Sequence, residues 1–259
     1  MLRRFWLLLT PALILLASCT PLTTSSRGGA GFVPPLATAP PTPGVEPPPV
    51  QLLVAGGPPV APDARPQQQL ATWAESMSDE LNIPRAALQA YGYAQQSIAT
   101  AMPRCGLTWS LLAAIGQVES SHGRHGGARL DETGRPTRPI IGLPLDGTGG
   151  VRRIPDTDGG DLDGDQVWDR AVGPLQFIPT TWHRWQVDAD GDGVADPQDT
   201  DDAALTAGRY LCSAGGDLRD PDRFWSALLT YNQSRSYGQE VLDYADYYGR
   251  TSRELPAAG

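Results

Sequence analysis

The chain has 259 residues, with 20 basic side chains, all of them arginine, against 29 Asp plus Glu, for a formal charge of −9. No basic stripe is available to neutralise phosphates, which excludes nucleic acid as a partner. Its 25 prolines are unevenly spread, and the unevenness separates a proline-rich front from a foldable remainder.

Arg3 and Arg4 form a short basic region, followed by an apolar run from Phe5 to Leu16 that is too short to span a bilayer comfortably. Leu16-Ala17-Ser18-Cys19 ends that run and resembles a bacterial lipobox. Residues 1–18 therefore read as a lipoprotein signal peptide, with Cys19 the first mature residue and the site of lipidation. The alternative is an ordinary secretory signal with an incidental cysteine. One lipid-bearing cysteine anchors a chain to a membrane without spanning it, so the expected location is extracytoplasmic. Residues 20–67 hold 13 of the prolines. Such a segment cannot bury enough apolar surface to offset its chain entropy, and 19–67 is expected to be a disordered spacer.

Residues 68–259 are long enough for one domain with a core. Pro84 suits the first turn of a helix on which Leu88, Tyr91, Ile98 and Met102 recur at near-helical spacing up to Pro103. Thr108 can cap a second helix reaching about Ser121, with Gly123 as its stop. From 123 to 172, Gly, Asp, Pro and Arg dominate without a lasting period, and a loop of that length in a compact domain usually has a function. Helical character returns at Pro179 to Trp185, Ala203 to Ser213, Pro221 to Tyr231 and Tyr237 to Tyr248. Alternating strand patterns are scarce, so the expected architecture is mainly α, with long Gly/Asp-rich loops lining a cleft. With Cys19 assigned to lipid, Cys105 and Cys212 remain as a disulfide pair in an oxidising compartment, or as two buried thiols.

Within the second helix, Leu112, Ile115 and Glu119 fall on one face, so a carboxylate shares the face that enters the core. Burial raises the pKa of an acid, and the negative end of the helix dipole pushes the same way. A carboxylic acid kept protonated near neutral pH is what cleavage of a glycosidic bond requires.

Three blocks then occur in order: Glu119-Ser120-Ser121-His122-Gly123, Gly173-Pro174-Leu175-Gln176-Phe177-Ile178-Pro179-Thr180-Thr181-Trp182, and Ala227-Leu228-Leu229-Thr230-Tyr231-Asn232. Together they resemble the goose-lysozyme-related lytic transglycosylases. The Asp-rich loop directly after the second block narrows the resemblance to the lytic murein transglycosylase B type, in its actinobacterial lipoprotein form. The resemblance spans roughly 80 to 250 and implies a lysozyme-like fold.

By that resemblance, Glu119 is the sole catalytic acid. It would protonate the oxygen between N-acetylmuramic acid and N-acetylglucosamine, then act as base on the muramic C6 hydroxyl, closing a 1,6-anhydro ring. The resemblance further implies Gln176 in the saccharide cleft, the Tyr231-Asn232 pair beside the acid, and Tyr237 as a further cleft tyrosine. The family often carries Val after that tyrosine, where this chain has Gly238. Implied partners are peptidoglycan glycan strands, the membrane through Cys19, and the cell-wall synthesis or division machinery. A hydrolytic muramidase, in which a second carboxylate activates water, and a wall-binding module without turnover are the alternatives.

Asp188, Asp190, Asp192, Asp196 and Asp199 stand at positions 1, 3, 5, 9 and 12 of an EF-hand-like pattern, with Gly193 at position 6 and the carbonyl of Val194 at position 7. The pattern points to a structural calcium ion, because so many carboxylates in one loop repel one another without a cation. Six further aspartates between Asp156 and Asp169 fail the template at Gln166, and read as solvated, as lining the sugar cleft, as a second cation site, or as the source of a second catalytic carboxylate. His122, His125 and His183 do not make a zinc site at this spacing.

Overall fold

In the computed structural model, which describes residues 41–53 and 65–255, seven α-helices and one two-stranded sheet follow along the chain. The signal peptide and Cys19 lie outside the described residues. The helices are α1 Ala71–Leu81, α2 Arg85–Ala101, α3 Trp109–Ser120, α4 Pro179–Trp185, α5 Thr200–Gly215, α6 Pro221–Tyr231 and α7 Arg235–Glu254. The strands are β1 Ile141–Pro144 and β2 Arg170–Val172. The expected mainly α class is what the chain adopts, and four of the helices match the anticipated ones closely.

α1 was not anticipated, although Trp73, Ala74, Met77 and Leu81 form a helical stripe that is buried against α2. It ends at Asn82 in the left-handed region, and α2 begins after Pro84, whose fixed φ suits a helix start. α2 and α3 are buried along most of their length, and the other helices surround them: α5 packs on α2, and α7 on α3. Each fully buried large side chain in this interior, Leu112 and Ile115 among them, contributes roughly 1.5–3 kcal/mol.

Thr108 caps α3 as expected, its hydroxyl accepting from Leu111 N. The stop differs: Ser121 and His122, at φ 52° and 57°, reverse the chain before Gly123 is reached. His122 can hold this conformation because its buried ring hydrogen-bonds Tyr91 of α2 (3.2 Å) and Tyr248 of α7 (3.1 Å). Cys105 and Cys212 are disulfide-bonded, tying the segment before α3 to α5.

The spacer expectation for 19–67 meets a difference at both described stretches. Residues 41–53 lie as a strap over the start of α3 and the end of α7. Trp109 Nε1 donates to Val45 O (2.9 Å), Thr42 N to Asp246 (3.0 Å) and Val45 N to Ser252 Oγ (3.1 Å). Arg65 is buried in a two-bond ion pair with Asp201. Proline content argues against regular structure, and it does not prevent an extended segment from docking on side chains presented by a folded surface.

β1 and β2 pair antiparallel, Ile141 opposite Val172 and Pro144 opposite Arg170. This short sheet, inside what the sequence suggests is all loop, delivers the chain into the Gly173–Trp182 block.

Candidate active site and metal centre

Glu119 is the penultimate residue of α3 and is half-buried. Desolvation, offset in part by the Tyr237 phenol donating to Oε1 at 2.6 Å, leaves its carboxyl raised to about 7. With Oε1 accepting from Tyr237, the acid's own proton is left to Oε2.

The phenol that hydrogen-bonds the acid is that of Tyr237, not Tyr231. Tyr231 donates to Leu175 O (2.8 Å), and Asn232 is exposed, its Oδ1 accepting from Ser234 N (3.1 Å). Tyr231 remains close enough to feel the Glu119 charge, which with burial raises its pKa. Tyr237 reaches Glu119 because α7 starts tight against α6. A Cβ on Gly238 would lie 2.7 Å from the Trp225 ring, so the departure from Val at this position makes room for that tryptophan.

The Gly173–Gln176 turn is closed by mutual backbone bonds between Val172 and Phe177, both 2.9 Å. Its carbonyls are gripped from two sides: Ser120 Oγ donates to Pro174 O (2.5 Å), and Tyr231 donates to Leu175 O. The three sequence blocks thus meet at the end of α3. Gln176, half-buried with φ 50°, donates its amide to Gly173 O (2.9 Å), and its Oε1 lies beside Gly142.

In the Asp188–Asp199 loop each aspartate first organises its own backbone. Asp188 accepts from Gly191 N and Gly193 N, Asp190 from Asp192 N, Asp192 from Val194 N, Asp196 from Gln198 N, and Asp199 caps α5 by accepting from Asp201 N. Val194 itself is exposed. Two carboxylates missed in the sequence complete the centre, since one oxygen each from Asp188, Asp190 and Asp202, and from Asp190, Asp199 and Asp201, lie within 4.8 Å of one another.

Asp192 and Asp196 lie outside these two groups. Each turns one oxygen to Arg135, at 3.2 and 2.6 Å, because that guanidinium supplies positive charge on their side of the loop. Asp199 Oδ2 is fully buried and makes no well-aligned hydrogen bond, although Arg135 Nη2 stands 3.1 Å away. Seven carboxylates face two arginines here, Arg65 and Arg135. Burial, with mutual repulsion adding to it, raises Asp190 to about 6, Asp199 to about 7 and Asp202 to about 9. Oxygen donors converging with excess negative charge fit a hard divalent cation.

The other acidic loop also brings carboxylates together, one oxygen each from Asp156, Asp158 and Asp169 lying within 4.8 Å of one another. Asp156, Asp158, Asp163 and Asp165 accept from backbone N–H groups of their own neighbourhood, and Asp169 from Thr157. Of the six aspartates in this loop, only Asp161 is exposed.

The family model described as Transglycosylase SLT domain matches residues 160–219. A solved structure, described as the Escherichia coli lytic transglycosylase Slt35 in complex with bulgecin A, is similar with a TM-score of 0.40 and 14% identity, covering 71% of this chain and 79% of that one. No curated protein matches the chain.

Proposed function

We propose, from the SLT-type match over 160–219 and the geometry around Glu119, that this protein is a lytic transglycosylase acting on peptidoglycan glycan strands. The observation that carries the reading is one carboxyl, held near pKa 7 at the end of α3 and oriented by Tyr237, beside a turn that presents Gln176. An acid so poised is protonated in a useful fraction near neutral pH and can also serve as a base after donating.

In the proposed reaction Glu119 gives its proton to the oxygen linking N-acetylmuramic acid to N-acetylglucosamine, and that bond breaks. The resulting carboxylate, held by the Tyr237 hydrogen bond, then takes the proton of the muramic C6 hydroxyl as its oxygen bonds to C1. A 1,6-anhydro ring forms and Glu119 ends protonated, as it began. The nucleophile belongs to the substrate, so one protein carboxyl suffices. Gln176, whose amide can donate and accept, would hold sugar hydroxyls or acetamides.

The Asp188–Asp199 loop would hold calcium through Asp188, Asp190, Asp199 and the neighbouring Asp201 and Asp202. The ion would supply the positive charge that lets these carboxylates share a small volume. Cys19 would carry the lipid, placing the domain outside the cytoplasm against the wall, where synthesis or division machinery would recruit it. Glu119→Gln tests the reading: release of soluble muropeptides from purified peptidoglycan should fall to background while circular dichroism stays native. Wild-type release by that variant would remove the proposed acid.

A further inference from the structure

Gln198 is the eleventh residue of the Asp188–Asp199 loop, a position to which the calcium pattern gives no ligand role. Its side chain nevertheless makes two long-range bonds. Ile140 N donates to Oε1 at 2.9 Å and Nε2 donates to Ile140 O at 3.0 Å, across 58 residues of chain. The amide thus pairs with one residue's backbone as a neighbouring strand would.

Ile140 is buried and directly precedes β1. Its carbonyl also accepts from Gly173 N (2.8 Å), the first residue of the cleft turn. Gly173 is wedged against the Asp loop from the other side: a Cβ there would overlap Pro197 O, the residue before Gln198. Gly173 O in turn accepts from both Gln176 N (3.1 Å) and Gln176 Nε2 (2.9 Å). An unbroken line of hydrogen bonds runs from Gln198 through Ile140 and Gly173 to Gln176. A second tie keeps the two loops in register, because Gly134 O accepts from Thr200 N (3.1 Å) and Thr200 Oγ1 (2.5 Å).

We propose that Gln198 is a positioning residue that couples the order of the Asp188–Asp199 loop to the placement of Gln176, so that the cation governs how well the cleft holds a glycan. This rests on the calcium and glycan readings above. When the carboxylates lose their cation, their repulsion spreads the loop, Gln198 leaves Ile140, and the turn carrying Gln176 loses the support on its Gly173 side, keeping only the Ser120 and Tyr231 contacts and its own closure. Glu119 and Tyr237, on α3 and α7, are outside this line. The expected penalty therefore falls on substrate binding more than on the chemical step.

The test uses the full-length protein as wild type, Gln198→Ala and Gln198→Glu, the last keeping the acceptor for Ile140 N and losing the donor to Ile140 O. Calcium affinity is measured by calorimetry, amide hydrogen exchange is followed at Ile140 and Gly173, and kcat and KM are determined on purified glycan. The account predicts that Gln198→Ala binds calcium as wild type does, exchanges both amides about tenfold faster or more, and raises KM about tenfold with little change in kcat. Gln198→Glu should fall between, and wild type in EDTA should show the same faster exchange and higher KM.

Unchanged exchange at Ile140 and Gly173 in Gln198→Ala would overturn the coupling, as would a loss of calcium affinity large enough to explain the change in KM. If wild type releases no glycan product, the substrate reading fails separately. Calcium-dependent protection of the two amides that disappears in Gln198→Ala would still uphold the coupling, and its absence would sink it.

Discussion

Two of the regions that raise carboxyl pKa values, at Glu119 and around Asp190, do so for different ends. At the end of α3, Glu119 stands with one partner, the Tyr237 phenol, and burial holds it near 7. Around Asp190, several carboxylates share one volume, with Arg65 and Arg135 on its flanks and an orphaned oxygen on Asp199. Burial is the first cause in both places. What differs is the company: a solitary acid can keep its proton and deliver it, whereas crowded acids call for a metal ion. Raised acidity alone does not mark a catalytic residue.

The largest effect should come from removing the solitary acid. Glu119→Gln is expected to cut turnover on peptidoglycan by about a thousandfold or more, measured as initial muropeptide release. A drop under tenfold would move the chemistry elsewhere.

The crowded site should respond to metal instead. Saturating calcium, at about a hundred times its dissociation constant, should add about 2.7 kcal/mol to wild-type stability in thermal unfolding. Asp190→Ala should abolish that gain yet melt no lower than wild type in EDTA, since it removes repulsion. Asp161→Ala, an exposed aspartate of the other acidic loop outside the converging carboxylate groups, should leave the calcium response intact.

Tyr237→Phe sharpens the solitary side. It should lower kcat about tenfold by disorienting the acid. Its phenol now depresses the Glu119 pKa, so losing it raises that pKa, and the alkaline limb of the rate profile should move to higher pH.

The smallest effect concerns stability against pH. Because the folded pKa of Glu119 lies above its unfolded value near 4.5, the folded state binds the extra proton between about pH 4.5 and 7. Its stabilising contribution is full below that window and is lost as pH rises through 7. Glu119→Gln should therefore flatten the pH dependence of unfolding across the window, by on the order of 1–3 kcal/mol. A slope equal to that of wild type would mean that the carboxyl titrates normally.

Much of this was legible in the sequence wherever the signal was local. The α3 cap at Thr108, the Pro-initiated α4 and α6, the acid among apolar residues and the Asp loop are each set by neighbours within a few positions. What escaped depends on partners far apart in the chain. Arg65 and Asp201 are 136 residues apart, Glu119 and Tyr237 are 118 apart, and no periodicity relates such pairs. The strap at 41–53 escaped because its docking relies on side chains of α2, α3 and α7 rather than on its own pattern. The short β1–β2 pair escaped because strands of four and three residues are too brief for alternation to stand out from the surrounding loop. Only α1 was readable and passed over, its Trp73, Ala74, Met77 and Leu81 stripe lying behind a proline-rich approach.

The central claim is that one carboxyl acts and the substrate supplies the nucleophile. Its most direct test is mass spectrometry of purified peptidoglycan digested by the wild-type protein, with calcium present, in water enriched in oxygen-18. The account predicts muropeptides ending in 1,6-anhydromuramic acid, without label at the new end. Reducing ends carrying one oxygen-18 would contradict it, because water would then be the nucleophile.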